Sequence, residues 1–451
     1  MRRGIAAFAL AAALVLAIAP APAGAADRLT TLDGFDAAGP ARFDKVGVVK
    51  VGPRRARRVL VLSPGTSAGA GYLLPLAHSL VDRLPGWQVW AVERRENLLE
   101  DHRVLDAVRA GDRPVADLFP YYLGWLTGGV AEHFAPPADS VTAPARGWGM
   151  RVAVQDLRRV IRAARRGGRR VVLGGHSLGG TITTAYATWD FGGRTGARDL
   201  DGLVYIDGGS APSRLDAGQA EAQLIALQQG SPFNDLVGLG VPWAAGVFGA
   251  VGATLARKAP DEPSAFQGWP LAPAALKPPV PVTNEAQFGH AIDTETGPPS
   301  LALVQAHLGG LAASGDPRGW DDEGGRASVQ RVARAVSGIR GADGFAWYHP
   351  RRLSLDAGVV NGGRADPAQR VLGVRATRGR AARLPIYALE TSLGRGRVLA
   401  AARALAARAR VPARRVTLVD RSASDAHCDP IFDDPGRNAF LRTVVPFLKR
   451  L

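Results

Sequence analysis

Short apolar runs and amphipathic stretches alternate along the first half of the chain. Residues 43–51 and 58–62 are apolar runs joined through a basic turn at 53–57. A helical pattern extends from Tyr72 to about Leu84, and a further apolar run occupies 87–92. Residues 151–166 predict a helix with Val152, Leu157, Val160 and Ile161 on one face. Val171, Val172 and Leu173 open the next run, and 203–206 form the one after. Runs this continuous suit strands buried on both faces, and their alternation with helices predicts a mostly parallel sheet. The alternation stops at Pro212. It resumes with a strand at 384–389, a helix at 396–410, a strand at 416–419 and a closing helix at 438–451.

The expected fold class is therefore α/β: a mostly parallel central sheet flanked by helices, interrupted by a large, mainly helical cap insertion. Residues 26–212 form the first part of the core, 213–353 the cap or lid, and 354–451 the second part of the core. Within the insertion, residues 236–256 carry no charge and are long enough to span a bilayer. Their glycines and Pro242 weaken a helix, so buried cap structure is expected in preference to membrane contact. Residues 98–150 are aromatic without clear periodicity.

The N-terminus changes the compartment. Arg2 and Arg3 precede an apolar segment at 5–18, and Ala23-Gly24-Ala25 reads as a cleavage site, so residues 1–25 are expected to be a secretory signal peptide. The expected location is extracellular or in the cell envelope. A single cysteine, Cys428, leaves no internal disulfide. The formal charge of +16 is carried mainly by arginines spread along the sequence. A solvated face is the expectation for them, with peripheral contact to anionic envelope lipids or acidic polymers, and no nucleic acid as partner.

Candidate chemistry centres on Gly175-His176-Ser177-Leu178-Gly179, which joins a strand directly to a helix. So sharp a turn needs flanking glycines and lifts the serine above the sheet edge at a helix N-terminus, where negative charge is favoured. A second G-x-S-x-G match, Gly65-Thr66-Ser67-Ala68-Gly69, runs into further glycines and reads as a loop. Ser177 is the candidate nucleophile. His427 follows the final strand and suits a general base, whereas the other histidines precede the serine or belong to the insertion or its flank. Glu390 is preferred as the orienting acid because its strand comes just before the histidine strand; Asp207 is the alternative, and Asp420 and Asp425 are weaker candidates. The backbone N–H groups of Leu178 and Thr66 are the expected oxyanion donors. There is no H-E-x-x-H, and neither a metal nor a cofactor is expected.

These motifs, with the Pro64-Gly65 loop and His427-Cys428-Asp429-Pro430, resemble the α/β-hydrolase superfamily in its secreted bacterial serine esterase and lipase-like form. The resemblance covers residues 43–212 and 384–451. It implies a parallel-rich sheet, a Ser–His–acid triad, no metal or organic cofactor, and a variable cap over an acyl-binding pocket. The chain departs from many members in having Ser-Pro-Gly where His-Gly is common, and in a glutamate where aspartate is commoner. The expected activity is hydrolysis of small-molecule or lipid-like carboxylic esters. An envelope acyltransferase using the same acyl-enzyme, and a non-catalytic secreted binding protein, are the alternatives.

Overall fold

Ten strands form: β1 (Leu29–Asp33), β2 (Lys45–Val51), β3 (Arg58–Ser63), β4 (Trp87–Glu93), β5 (Arg170–His176), β6 (Gly202–Ile206), β7 (Gly310–Gly315), β8 (Arg318–Asp321), β9 (Ile386–Glu390) and β10 (Val416–Asp420). The structure is a computed structural model describing residues 27–210, 215–236, 238 and 240–451, so the signal peptide expected at 1–25 lies outside the described residues. Eight strands make one sheet in the order β1-β2-β4-β3-β5-β6-β9-β10. β2 runs antiparallel to β1 and β4, and the six strands from β4 to β10 are mutually parallel. Every residue of β4, β6 and β9 is buried, which is why their sequences show no polar alternation. This is the α/β-hydrolase fold.

Successive strand residues face opposite sides of the sheet, and each side meets its own helices. Leu60, Leu62, Val172, Val204 and Leu389 pack with the helices Leu74–Arg83 and Ala439–Lys449. Val59, Val61, Leu173, Leu203 and Ala388 pack with the helices Met150–Ala164, Leu178–Thr188 and Arg397–Ala409.

The structure adds two features to the sequence reading. β1 extends the sheet at its antiparallel edge, and the insertion contains the separate hairpin β7–β8. Among the described residues of 236–256 the helix Ala244–Lys258 is the only regular element, with Ala250, Val251 and Ala253 buried, and among the described residues no helix is long and apolar enough to cross a membrane. The aromatic stretch supplies Tyr121, Tyr122, Phe134 and Trp148 to a third core cluster with Trp243, Val247 and Trp347. These rings join the insertion to the segment between β4 and β5.

Candidate active site

β5 passes into the helix Leu178–Thr188 through Ser177 alone, whose φ of 55° and ψ of −124° lie outside the ordinary wells of an L-residue. Such a conformation costs about 1–3 kcal/mol and persists only where the surroundings fix it. The Ser177 N–H donates to Ile206 O at 3.0 Å, and its carbonyl accepts from Gly180 N at 2.9 Å. A Cβ at Gly179 would overlap Ser63 O, and one at Gly208 would overlap Ser177 O. Glycine at both positions lets the ends of β3 and β6 close on the turn. Ser67 (φ 46°) and Asp207 (φ 40°) share the positive-φ conformation.

His427 is buried beside the elbow. Its Nδ1 lies 2.6 Å from Asp207 Oδ2, and its Nε2 is buried without a hydrogen-bond partner among the described residues. Asp207 is held in turn by Thr391, whose N–H donates to Oδ1 at 2.8 Å and whose hydroxyl donates to Oδ2. Burial works against the Asp207 carboxylate, but the hydrogen bond and charge of His427 and the Thr391 bonds outweigh it and hold the group below its ordinary range.

Glu390, the acid preferred from chain order, does not meet His427. Its Oε2 accepts from Leu399 N at 2.9 Å, inside the first turn of the helix Arg397–Ala409, where the helix dipole favours a carboxylate. The loop after β10 reaches past β9 to the end of β6, so the histidine meets Asp207. Asp420 is tied to Ser422, and Asp425 to Arg326 and Arg421.

His176 has a part that its position inside the elbow motif did not signal. Its Nε2 lies 3.0 Å from His427 O and its Nδ1 3.0 Å from the Tyr72 hydroxyl, which accepts from Gly65 N at 3.0 Å. Burial pushes the His176 pKa down to about 3, so the ring is neutral. With the Nε2–H donating to the carbonyl and Nδ1 accepting from Tyr72, one chain of bonds joins the glycine loop, the elbow and the base loop.

The glycine loop stands over Ser177: a Cβ on Gly65 would lie 3.2 Å from Ser177 Cβ. From behind, the buried Arg94 guanidinium donates to Pro64 O and Gly65 O, each at 3.0 Å, and to Ala68 O at 3.3 Å. In a trans peptide the Thr66 N–H points opposite to the Gly65 carbonyl, so this grip turns that donor away from Arg94. Thr66 N–H has no acceptor among the described residues. As the first N–H of its helix, Leu178 likewise has none within the helix.

A strap from the end of the insertion pins the same loop: Ala346 N donates to Ser67 O, Gly69 N to Gly344 O and Gly71 N to Asp343 O. Glu100, His102 and Asp343 at this junction are the one grouping among the described residues with donors placed to hold a metal ion. Arg109 bonds Asp343, and Asp343 with Glu100 holds His102 well above its ordinary range against the pull of burial, so these charges balance one another. The insertion also braces the base loop. Arg326 pairs with Asp425 at 2.8 Å and with Asp433, and His307 Nδ1 lies 2.6 Å from Asp429 Oδ2.

An apolar cavity of about 140 Å³ begins at Thr66 and Ser67 and runs into the insertion between Phe248, Phe266, Phe288 and Leu301. Residues 119–125 do not line it; Phe119 packs on Phe266 and Trp269 behind the wall.

No family model matches the chain, and no curated protein matches it. Solved structures similar to it include a protein from Sulfolobus solfataricus described as a lipase (13% identity, 94% of each chain, TM-score 0.47). An epoxide hydrolase from Vigna radiata (11% identity, 94% of this chain and 98% of that one, TM-score 0.43) is another. A third is an α/β hydrolase fold protein from Nakamurella multipartita (13%, 94% and 99%, TM-score 0.40). At these identities the likeness concerns the fold alone.

Proposed function

We propose that the protein is an exported serine hydrolase that cleaves carboxylic esters with an apolar acyl group. One observation carries this reading: His427, packed on the elbow residue His176, is held through Nδ1 by Asp207 and keeps its Nε2 without a partner among the described residues. In the proposed mechanism Ser177 Oγ attacks the acyl carbon while His427 Nε2 takes its proton. Asp207 then stabilises the imidazolium, and the N–H groups of Leu178 and Thr66 receive the oxyanion. His427 returns the proton to the leaving alcohol, and water releases the acid by the same steps. Export rests on the leader pattern of residues 1–25.

The test is covalent labelling with a fluorophosphonate, with the adduct mapped by peptide mass, beside hydrolysis of p-nitrophenyl esters of graded chain length. A single adduct on Ser177 with ester turnover is expected. A protein that neither labels nor turns over any ester is a binding protein on this fold.

The cavity sets a second expectation. Its volume is close to that of engineered apolar cavities that take up benzene, so an acyl chain of roughly six carbons fits. Gly252 lies on its wall, and a Cβ there would meet Phe288 and Phe266 only at ordinary contact distances of 3.7 and 3.8 Å. Gly252→Leu should fold and occupy the cavity. Each displaced methylene forfeits roughly 0.8 kcal/mol. With three or more displaced, kcat/KM for hexanoate esters is expected to fall by at least tenfold, with acetate esters little changed.

Arg94→Lys should act differently. An ammonium cannot reach three diverging carbonyls, so the Thr66 donor loosens. A fall in kcat of roughly 10- to 100-fold, with KM nearly unchanged, is expected, since an oxyanion donor acts chiefly on the transition state. A rise in KM at constant kcat would count against this role.

A further inference from the structure

The arginines that look scattered in sequence are gathered by the topology. Six parallel strands share one N-terminal edge, opposite the edge that carries Ser177, Asp207 and His427. The turns that enter β3, β5, β6, β9 and β10 at this edge are residues 52–57, 165–169, 196–201, 379–385 and 410–415. They contain twelve arginines and two aspartates. At the other edge, the segments leaving β3, β4, β9 and β10 are nearly balanced: residues 64–73 carry no charge, and 94–101 carry two arginines against three acids.

Arginines at helix C-termini have a local reason to be there, because the dipole favours them. That accounts for Arg165 and Arg166, behind the helix Met150–Ala164. It does not account for Arg54, Arg55, Arg57, Arg380, Arg414 and Arg415, all exposed and outside any α-helix. Among the described residues these six form no ion pair, while the two aspartates at this edge are taken, Asp199 by Arg194 and Asp201 by Arg165 and Arg170. The exposed large apolar side chains, Leu98, Ile225, Leu271, Leu303 and Val371, all lie outside these turns. Six strands at about 4.8 Å spacing make the edge about 24 Å wide.

We propose that this edge is a docking face for an anionic phospholipid bilayer, bound by charge without insertion, so that the catalytic edge faces away from the membrane. Breadth favours a bilayer over a single polymer strand, because the charges come from five turns spread across the sheet. Like charge disfavours a second copy of the chain. Attraction of this kind falls steeply with salt and grows with each basic residue near the surface.

The test is co-sedimentation of the mature protein with vesicles of phosphatidylglycerol and phosphatidylcholine, against phosphatidylcholine alone, at low and high salt. Arg54, Arg55, Arg414 and Arg415 are changed together to Gln. A control of equal charge changes Arg151, Arg334, Arg340 and Arg442, which are exposed on other faces. The expected result is salt-sensitive binding to the anionic vesicles only, reduced at least about 100-fold by the first set and far less by the control. Hydrolysis of a soluble ester, with circular dichroism, checks that both variants are folded. Equal losses in the two variants would mean net charge rather than a face, and would overturn the proposal. Absence of binding to anionic vesicles, binding that survives high salt, or binding to soluble polyphosphate but not to vesicles would each overturn it as well.

Discussion

Ser177→Ala is expected to lower kcat by roughly 10⁶-fold, to the residual rate left by binding and the oxyanion donors, and to abolish fluorophosphonate labelling. Ser67→Ala is the informative partner. Ser67 lies in the other G-x-S-x-G match and also has positive φ, at 46°. Its carbonyl and N–H, not its hydroxyl, connect the loop: Ala346 N donates to Ser67 O, and Ser67 N lies 3.4 Å from His349 Nδ1. Alanine keeps both, so labelling should persist and the rate should change by less than about tenfold on the scale of single non-catalytic contacts. Stopped-flow acylation with a p-nitrophenyl ester measures both variants. If Ser67→Ala lost activity as completely as Ser177→Ala, the nucleophile would be misassigned.

The second large effect separates the two acids. Asp207→Asn keeps the shape of the site but gives His427 Nδ1 an amide in place of a carboxylate. The tautomer that leaves Nε2 free to accept a proton is then no longer favoured, and the imidazolium loses its counter-charge. A loss of about 10⁴-fold in kcat is expected. Glu390→Gln should leave kcat within a few fold. Its carboxylate serves the N-terminus of the helix Arg397–Ala409 through Leu399 N, so the change should cost stability instead, by about 0.5–2 kcal/mol on the scale of helix caps. Paired measurements of kcat and of the urea unfolding midpoint distinguish the two. An inactive but stable Glu390→Gln protein would return the triad acid to β9.

These two carboxylates mark the limit of what the sequence disclosed. The elbow was legible because strand, glycines, serine and helix are contiguous, and local sterics decide their conformation. The place of His427 was legible because a loop after the last strand reaches the sheet edge that carries the elbow. The carboxylate that meets His427 was not, since Asp207 and Glu390 both end buried strands, and only the path of the 421–428 loop past β9 decides between them. Arg94 and His176 were equally hidden as partners. One looks like a strand-end charge and the other like a motif filler, and the bonds that tie them to the glycine loop and to the loop of His427 span 26 residues or more. β1 was missed because its five residues are no more than half-buried, which leaves no continuous apolar run to read. The basic edge was invisible because sheet order, not spacing, brings its turns together.

The ion pairs from the insertion to the base loop bear on how this protein can change. Arg326 and His307 stand in one segment of the chain, and Asp425, Asp429 and Asp433 in another, on either side of His427. Exchanging the insertion for that of another protein of this fold would therefore replace the moorings of His427 together with the walls of the apolar cavity. On the proposed function, substrate range is therefore not a detachable module. New specificity is more readily reached by single substitutions along the helix Ala244–Lys258, which alter the cavity and leave the anchoring charges untouched.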